Sequence, residues 1–472
     1  MRKRFDVNPN LNLTPIEKIK LPLKSRDELP PILAGLQWIF ITPSLNEKVF
    51  RLIENDVLNG KKKTGRYGMD LWRILVFASI RNGLGIDFDK LEDLANHHKL
   101  IRQMVGLDDL WNIEYLKYNT IRNNIALIKS ETLDKINTLL ASYGRILLNK
   151  NKIKKMHLKT DSYVFECNVH FPTDLSLTWD CIFKCITLIS GDEFLYKLGG
   201  WRKYRNWMSD LKSKYRTCSC TVFSGGKNKE KRVIEKTSLF LEACIKLSEK
   251  INYTLREAAY SGMFRVDIAY FYSMLEKHIN LVSRRLLNGE KIPHSEKLFS
   301  IFETHTEWIT KGKKHPSVEL GHRLLITTDE NELIIDYKVM ISECDSAQVV
   351  DLIGRITENY GKDSIFSMSY DKGFSSKENK EFALKYVEHL CMPKKGRRNK
   401  TETEEESQKQ FGKLRKNHSA VESNINCLEH HGLDRCPDKG IDAYMRYAAI
   451  GVLAYNLHKI GNYLIAQKRK MA

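Results

Sequence analysis

The sequence predicts an α/β protein with one helical region before its sheet and a second helical region inserted into it. Three observations lead to this prediction. Apolar residues recur at helical spacing before residue 150, they alternate in short segments after it, and a long helical pattern separates the first alternating segment from the next. We therefore expect a helical N-terminal domain over 1–150, an α/β core over 151–190 and 306–440, a mostly helical insertion over 191–305 and a C-terminal helix over 441–472.

The N-terminal region contains a series of amphipathic segments. In the segment that begins at Leu71, apolar side chains share one helical face until Gly83 ends the pattern. Asp87 can cap the helix that follows, and Ser130 precedes a further apolar stripe at helical spacing. The region is therefore predicted to be helical throughout.

The core is predicted from segments with a two-residue period. The expected strands span 155–169, 318–327, 332–341 and 364–371. The turn DENE at 329–332 separates two of them as a hairpin would, and a helix is expected over 346–359. Strands, a helix and a further strand in this order predict an α/β arrangement.

The charge of the chain favours a polyanionic partner. The formal net charge is +19, from 77 Lys and Arg residues against 58 Asp and Glu residues. A protein this basic binds nucleic acid favourably, because each phosphate that it neutralises releases condensed counterions. We expect nucleic acid as the partner ahead of a membrane surface, and a basic surface without such a partner remains the alternative.

Targeting and cysteine patterns indicate a cytoplasmic protein. The longest apolar run, 447–455, is far shorter than the roughly 20 residues of a membrane span. The first 14 residues lack the apolar segment of a secretory signal. The ten cysteines show no paired metal-ligand spacing, so we interpret them as reduced thiols.

An acidic residue interrupts the first predicted strand. In HLKTDSYVFECNV, at 157–169, Asp161 should share one face of the strand with Tyr163 and Phe165, while Glu166 points the other way. Burying an uncompensated carboxylate costs several kcal/mol. Asp161 therefore either has a structural partner or binds a metal, and the strand alone leaves both interpretations open.

Two more carboxylates extend this pattern. Asp371 ends a predicted strand, where α/β folds collect functional groups, and Glu422 lies at the edge of an apolar helical stripe from Val421 to Leu428. Two aspartates on neighbouring strands and a glutamate on a packing helix would form an acidic pocket for Mg²⁺ or Mn²⁺. Two such ions about 4 Å apart can activate a water or a 3′-hydroxyl in phosphodiester exchange.

Two basic segments are candidates for DNA contact. GGWRKYRNWMSDLKSKYR, at 199–216, interleaves aromatic and cationic residues, as suits base stacking and phosphate pairing. KKGRRNKTETEEE, at 394–406, has no apolar residue and is expected to be a mobile loop. An amphipathic helix with inward aromatics and a solvated loop are the respective alternatives. The tentative DNA-binding residues in these segments are Trp201, Arg202, Lys203, Arg205, Lys394, Lys395, Arg397 and Arg398.

The order of several motifs resembles a known family. TDSYVFECNVHFPTDLSLTWD, SYDKGFSSKEN and HSAVESNINCLEHHGLDRC, followed by IGVLAYNLHKIGNYL, resemble the catalytic blocks of bacterial DDE insertion-sequence transposases, close to the ISNCY-type and neighbouring groups. GRYGMDLWRILVFASIRNGLGIDFDKLEDLANHHKLIRQMVG resembles their helical N-terminal region, and KHPSVELGHRLLI resembles the strand that precedes their hairpin. The resemblance covers most of residues 60–465, and the central insertion is its least clear part.

The resemblance implies a ribonuclease H-like catalytic core in which Asp161, Asp371 and Glu422 bind Mg²⁺ or Mn²⁺ and carry out catalysis. It implies a transposase that binds the terminal inverted repeats of its insertion sequence, cleaves DNA beside them and joins the freed 3′-hydroxyls to target DNA. Recognition of two ends implies at least a homodimer, associated with the nucleoid when bound to DNA. The helical N-terminal domain is the candidate for binding the ends.

Two positions depart from the family pattern. His418 stands four residues before Glu422, where an arginine is common, and Glu429 stands seven residues after it, where a lysine is common. His418 can contact a phosphate when it is protonated, whereas Glu429 cannot replace a cation. The nearby candidates to replace it are His430, His431, Arg435 and Lys439. A metal-dependent nuclease of the same fold, and an inactive or domesticated DNA-binding protein, remain alternative functions.

Overall fold

The computed structural model describes residues 2–5, 13–60, 67–107, 114–150, 152, 154–310 and 317–471. The chain divides into two compact units. The core unit comprises Met1–Asn168 and Ile309–Ala472, and the insertion unit comprises Val169–Trp308. Residues 314–316, which begin the segment KHPSVELGHRLLI, and residues 6–12 of the N-terminus lie outside the described residues.

The N-terminal part of the core unit is helical, as predicted. Its α-helices are α1 Leu29–Ile41, α2 Pro43–Val57, α3 Leu71–Gly83, α4 Phe88–His97, α5 Lys99–Met104, α6 Tyr118–Ile125 and α7 Ser130–Leu148. The carboxylate of Asp87 accepts a hydrogen bond of 2.8 Å from the backbone N–H of Lys90, so it caps α4 as expected. The apolar stripes read from the sequence are therefore those that pack inward.

The insertion unit is also helical and begins earlier than predicted. Its α-helices are α8 Asp174–Gly191, α9 Glu193–Lys197, α10 Tyr204–Phe223, α11 Lys229–Tyr260 and α12 Val266–Val282. The buried face of α8, including Ile182, Cys185 and Ile189, belongs to the apolar cluster of this unit. The predicted boundary at 191 is therefore corrected to 169, because α8 packs with the helices that follow it.

A mixed sheet organises the core unit. Its strands are β1 Met156–Cys167, β2 Glu307–Thr310, β3 Val318–Thr328, β4 Ile334–Met340, β5 Ile365–Tyr370, β6 His389–Cys391 and β7 Arg435–Cys436. The principal order is β2-β3-β1-β5-β6, with β4 also paired to β3 and β7 paired to β1. β3 is antiparallel to β1 and β4, whereas β5 is parallel to β1 and β6. The predicted strands and the hairpin between β3 and β4 are present.

The second half of the core unit contains helices before and after β6 in the chain. They are α13 Val349–Tyr360, α14 Lys377–Ala383, α15 Lys400–Ser407, α16 Lys409–His418, α17 Ala420–Leu428 and α18 Ile441–Met471, with a five-residue π-helical turn at Glu429–Leu433. The prediction of a mobile loop at 394–406 is corrected in part, because α15 forms in its second half. The side chain of Asn399 accepts a bond of 2.8 Å from the backbone N–H of Glu402, so a capping box starts a helix there.

The N-terminal helices do not form a compact domain of their own. They belong to the same compact unit as the sheet, and their apolar cluster includes Leu453, Leu457 and Ile460 of α18. The helices α1 and α18 approach closely, since a Cβ at Gly461 would lie 1.8 Å from the carbonyl oxygen of Pro31. The separate domain predicted over 1–150 is therefore corrected, because its core is completed by the C-terminal helix. No helix in the described part of the chain combines the length and apolarity of a bilayer span.

Candidate active site at the carboxyl end of β5

Asp161 and Asp371 reach the same edge of the sheet on adjacent strands. β1 and β5 pair in parallel, with Lys159 opposite Ser369 and Thr160 opposite Tyr370. Asp161 is the next residue of β1, and Asp371 is the first residue after β5. The strand register therefore brings the two carboxylates together at the carboxyl end of β5, the edge where α/β sheets commonly hold functional groups.

Asp161 is half-buried and close to other negative charges. Burial raises the pKa of its carboxyl to about 7, against an ordinary value of 3.8. The backbone N–H of Ser162 donates to Asp161 Oδ1 at 2.7 Å, which opposes this rise, while the charges of Asp371, Asp345 and Glu422 add to it. Ionised Asp161 is thus costly to this fold on its own, and a cation among these carboxylates would remove the cost.

Glu422 is presented by α17, which is held against the sheet by its opposite face. Val421, Asn424 and Leu428 are buried, whereas Glu422 is exposed. The side chain of Asn424 donates to Thr328 Oγ1 at 3.2 Å, and the Tyr455 hydroxyl lies 3.1 Å from Asn424 Oδ1. These contacts orient α17 so that the charge of Glu422 acts on Asp161.

Asp345 is a fourth carboxylate of the site, and the sequence reasoning missed it. It begins a 3₁₀ turn after β4. The hydroxyl of Ser162 donates to its Oδ1 at 2.7 Å, and a Cβ at Gly373 would lie 3.1 Å from its Oδ2. Gly373 thus leaves room for this carboxylate. The available signal was an acidic residue shortly after a predicted strand, the same signal that singled out Asp371.

The donor set suits a hard divalent cation. The side chains are carboxylates, whose oxygens are the ligands that Mg²⁺ and Mn²⁺ prefer. Asp161, Asp371 and Glu422 do not form a group in which three ligand atoms lie within 4.8 Å of one another. Asp371 and Glu422 are exposed, so both can change rotamer to approach a shared ion. The residues present are therefore compatible with the metal site that the sequence predicts.

His418 borders the carboxylates as a half-buried imidazole. Its Nδ1 lies 3.0 Å from Ser369 Oγ, and its Nε2 is buried without a hydrogen-bond partner in the described structure. Burial lowers the pKa of His418, while the charges of Asp371 and Glu422 oppose this effect. Burial thus disfavours the protonated form on which the predicted phosphate contact depends.

A basic groove lies along the strands that carry the aspartates. It encloses about 720 Å³, and its lining includes His157, Lys159, Ser367, Ser369, Lys413 and Lys416. Lys413 and Lys416 are exposed on α16, and Lys159 lies two residues before Asp161 on β1. We call this feature the basic groove. Sequence reasoning missed it, although KQFGKLRKNH is a basic run immediately before α17.

The aromatic segment of the insertion unit is arranged differently from the predicted DNA contact. Trp201 is fully buried, and its Nε1 donates to Thr254 Oγ1 at 2.9 Å. It therefore cannot stack on a base, and the alternative of an inward-facing aromatic is correct for this residue. Arg202, Lys203 and Arg205 are exposed.

The basic residues at 394–398 are partly engaged in ion pairs. Lys394 Nζ lies 2.6 Å from a carboxylate oxygen of Glu402, and Arg398 Nε lies 2.7 Å from Glu406. Lys395 and Arg397 are exposed. The acidic half of the segment therefore offsets part of the charge that was expected to contact DNA.

The four residues near position 429 that were expected to supply a cation also differ in exposure. His431 is buried, which excludes it from the surface, and Arg435 pairs with Glu166 at 2.6 Å. His430 and Lys439 are exposed. Only the last two of these four thus combine an exposed side chain with no ion pair among the described residues.

Comparison with known proteins found no matching family model, no similar curated protein and no similar solved structure. The features of this chain that bear on its function are its carboxylates, its basic groove and the resemblance of its motifs.

Proposed function

We propose that the protein is a DDE transposase that binds the terminal inverted repeats of its insertion sequence and performs Mg²⁺-dependent DNA cleavage and strand transfer. The observation that carries the proposal is the register of β1 and β5, which brings Asp161 beside Asp371. The charge of Glu422 adds to the rise in the pKa of the same carboxyl, which supports grouping all three residues singled out by the motifs in one site.

The topology of the core unit supports a ribonuclease H-like interpretation. β1, β3 and β4 form an antiparallel set, α13 leads from β4 to β5, and β5 and β6 extend the sheet in parallel. This is the arrangement expected of such a core. The insertion unit enters the chain between β1 and β3 without interrupting their pairing.

The proposed chemistry assigns a task to each group of residues. Asp161, Asp371 and Glu422 would hold the divalent ions, with Asp345 available as a further carboxylate. When bound, the ions supply an activated water or 3′-hydroxyl and stabilise the leaving oxygen of the phosphodiester. Lys413 and Lys416 bind phosphates of the DNA backbone along the basic groove, and these contacts position one DNA strand beside the carboxylates.

A divalent-ion-dependent cleavage assay tests the proposal. The substrate is a labelled duplex that contains the junctions between the element and its flanking DNA. The expected result is nicking at the junction and formation of joined products with Mg²⁺. Both should fall roughly 10³-fold in Asp161→Asn, since loss of a metal ligand removes several kcal/mol of transition-state stabilisation. Asp351→Asn is the matched control, because Asp351 is an exposed carboxylate on α13.

The remaining outcomes separate the alternative functions. Cleavage without joined products, lost in Asp161→Asn, would identify a metal-dependent nuclease. DNA binding without cleavage in any variant would identify an inactive or domesticated copy, for which His418 and Glu429 are the residues to examine. Equal cleavage by the wild type and Asp161→Asn would remove the carboxylate site from the chemistry. Sedimentation of the DNA complex would test the proposed homodimer.

A further inference from the structure

A second group of potential metal ligands lies where α17, the π-helical turn and α18 meet. The Sγ of Cys427 and one ring nitrogen each of His431 and His458 all lie within 4.8 Å of one another. His431 is buried, and the other two are half-buried. None of these side chains is needed for the phosphodiester chemistry proposed above. The three residues are separated by 3 and 26 intervening positions, which explains why no cysteine or histidine spacing in the sequence revealed them.

The hydrogen bond of His431 leaves its other nitrogen free for a ligand. Its Nδ1 lies 2.6 Å from the carbonyl oxygen of Gly83, at the end of α3. A carbonyl oxygen only accepts, so Nδ1 carries the proton and Nε2 carries the lone pair. Metal-binding histidines characteristically donate their second N–H to a carbonyl or carboxylate. The carboxylate of Glu28 also lies 3.7 Å from Nδ1, which strengthens this tautomer.

His458 carries an unsatisfied buried nitrogen. Its Nδ1 is buried and has no hydrogen-bond partner in the described part of the chain. An unpaired buried polar atom costs free energy, and a bound cation would remove that cost. The second nitrogen, Nε2, lies 3.3 Å from the side-chain amide of Asn462. Asn462 is exposed and can rotate its amide to accept from Nε2–H when Nδ1 binds an ion.

Ordinary packing accounts for only part of this arrangement. The rings of His431 and His458 meet edge to face with centroids 4.8 Å apart, as two packed aromatic rings can. Packing does not satisfy Nδ1 of His458, and it does not require a thiol at Cys427 within reach of both rings. A metal ion explains all three features together.

We propose that Cys427, His431 and His458 bind a Zn²⁺ ion. A thiolate and two imidazoles are the ligand types that select zinc over the hard cations that suit the carboxylate site. Zn²⁺ in proteins is commonly four-coordinate, so a water completes the set of three protein ligands. The ion would tie the end of α17 to α18. Cys427 lies five residues after Glu422 on α17, so the ion would help to position that carboxylate.

Cobalt substitution provides the test, because Co²⁺ reports its ligands by absorption. The full-length protein carrying Asp161→Asn, which weakens the carboxylate site, is stripped with a chelator and titrated with Co²⁺ and then with Zn²⁺. The expected result is a thiolate-to-cobalt charge-transfer band with tetrahedral d–d bands, displaced by about one Zn²⁺ per chain. Cys427→Ser should abolish the charge-transfer band, and His458→Ala should weaken binding at least tenfold.

Matched controls distinguish these ligands from other thiols and imidazoles. His430→Ala changes the exposed neighbour of His431, and Cys220→Ser changes an exposed cysteine of the insertion unit, so both should retain the spectrum. Zn²⁺ should also raise the melting temperature of the controls but not that of Cys427→Ser. A spectrum without a thiolate band, or one unchanged by Cys427→Ser, would overturn the proposal. The assay uses neither DNA nor Mg²⁺, so its result is independent of the transposase proposal.

Discussion

The carboxylate site and the aromatic segment at 199–216 were both selected from charged residues among apolar neighbours, yet they differ in the structure. At the carboxylate site, side chains from separate elements converge on Asp161. In the aromatic segment, Trp201 turns inward and bonds to Thr254. The difference follows from secondary structure. The alternation of a strand indicated on which face of β1 Asp161 lies. In the helical segment, the mixed aromatic and basic residues did not indicate that the face with Trp201 packs inward.

The largest effect expected from this comparison is on stability at Trp201. Trp201→Ala should lower the free energy of unfolding by about 3–5 kcal/mol, because it removes a large buried side chain and leaves a cavity. Urea unfolding measures this change. Arg202→Ala, at an exposed neighbour, should stay within about 0.5 kcal/mol of the wild type. A stable Trp201→Ala variant with reduced DNA affinity would instead restore the base-stacking interpretation.

The free energy of unfolding should change less at Asp161 than at Trp201, and removing the charge of Asp161 should raise it. Its folded pKa of about 7 lies above the ordinary 3.8. The protonated carboxyl therefore stabilises the folded state. This stabilisation is fully present below about pH 3.8 and is lost as the pH rises through about 7. In the absence of divalent ions, Asp161→Asn should be more stable than the wild type at pH 8 by roughly 2 kcal/mol.

Chemical unfolding in EDTA between pH 5 and 8 measures this difference. The gap between the two proteins should widen with rising pH, whereas Asp351→Asn should show no comparable trend. A wild type that gains stability relative to Asp161→Asn as the pH rises would show that Asp161 already has a cationic partner in the metal-free protein. That result would support the structural interpretation of this residue.

The smallest expected effect is on DNA affinity, and it distinguishes the basic groove from the basic residues of the insertion unit. Lys413→Ala with Lys416→Ala in the basic groove should weaken duplex binding roughly tenfold and reduce the salt slope of log K by about 2, since two phosphate contacts are lost. Arg202→Ala with Lys203→Ala removes the same charge from the insertion unit and should change affinity less. Fluorescence anisotropy across a salt series measures both. A larger loss in the second pair would move the DNA contact to the insertion unit.

Local patterns predicted the elements of the fold well. The strands β1, β3, β4 and β5, the helices α3, α4 and α7, and the cap at Asp87 follow from periodicity and turn chemistry within a short window, whereas the short strands β2, β6 and β7 were not predicted. The boundaries of the two units could not be predicted from such local patterns. α8 belongs to the insertion unit and the N-terminal helices share a core with α18, because an apolar stripe shows that a helix packs without showing which element it packs against.

The candidate site shows the same division. Asp161 was identified inside a strand, Asp371 at a strand end and Glu422 at a helix edge, and the family resemblance joined the three. Asp345 and the basic groove were missed, since their proximity to Asp161 depends on contacts such as the bond from Ser162 to Asp345. The mobile loop predicted at 394–406 was wrong where α15 forms. There, the acidic run pairs with the basic run that precedes it, as Glu402 does with Lys394.

The sequence by itself determined the principal strands, the helices α3, α4 and α7, the basic charge and the face of β1 on which Asp161 lies, because each depends on residues close together in the chain. Only the tertiary structure decided which carboxylates gather at the strand ends, that Trp201 is buried, and that Cys427, His431 and His458 meet. These outcomes depend on strand register and on helix packing between residues far apart in sequence. Such contacts arise only when separate apolar faces are buried together, so no local pattern specifies them.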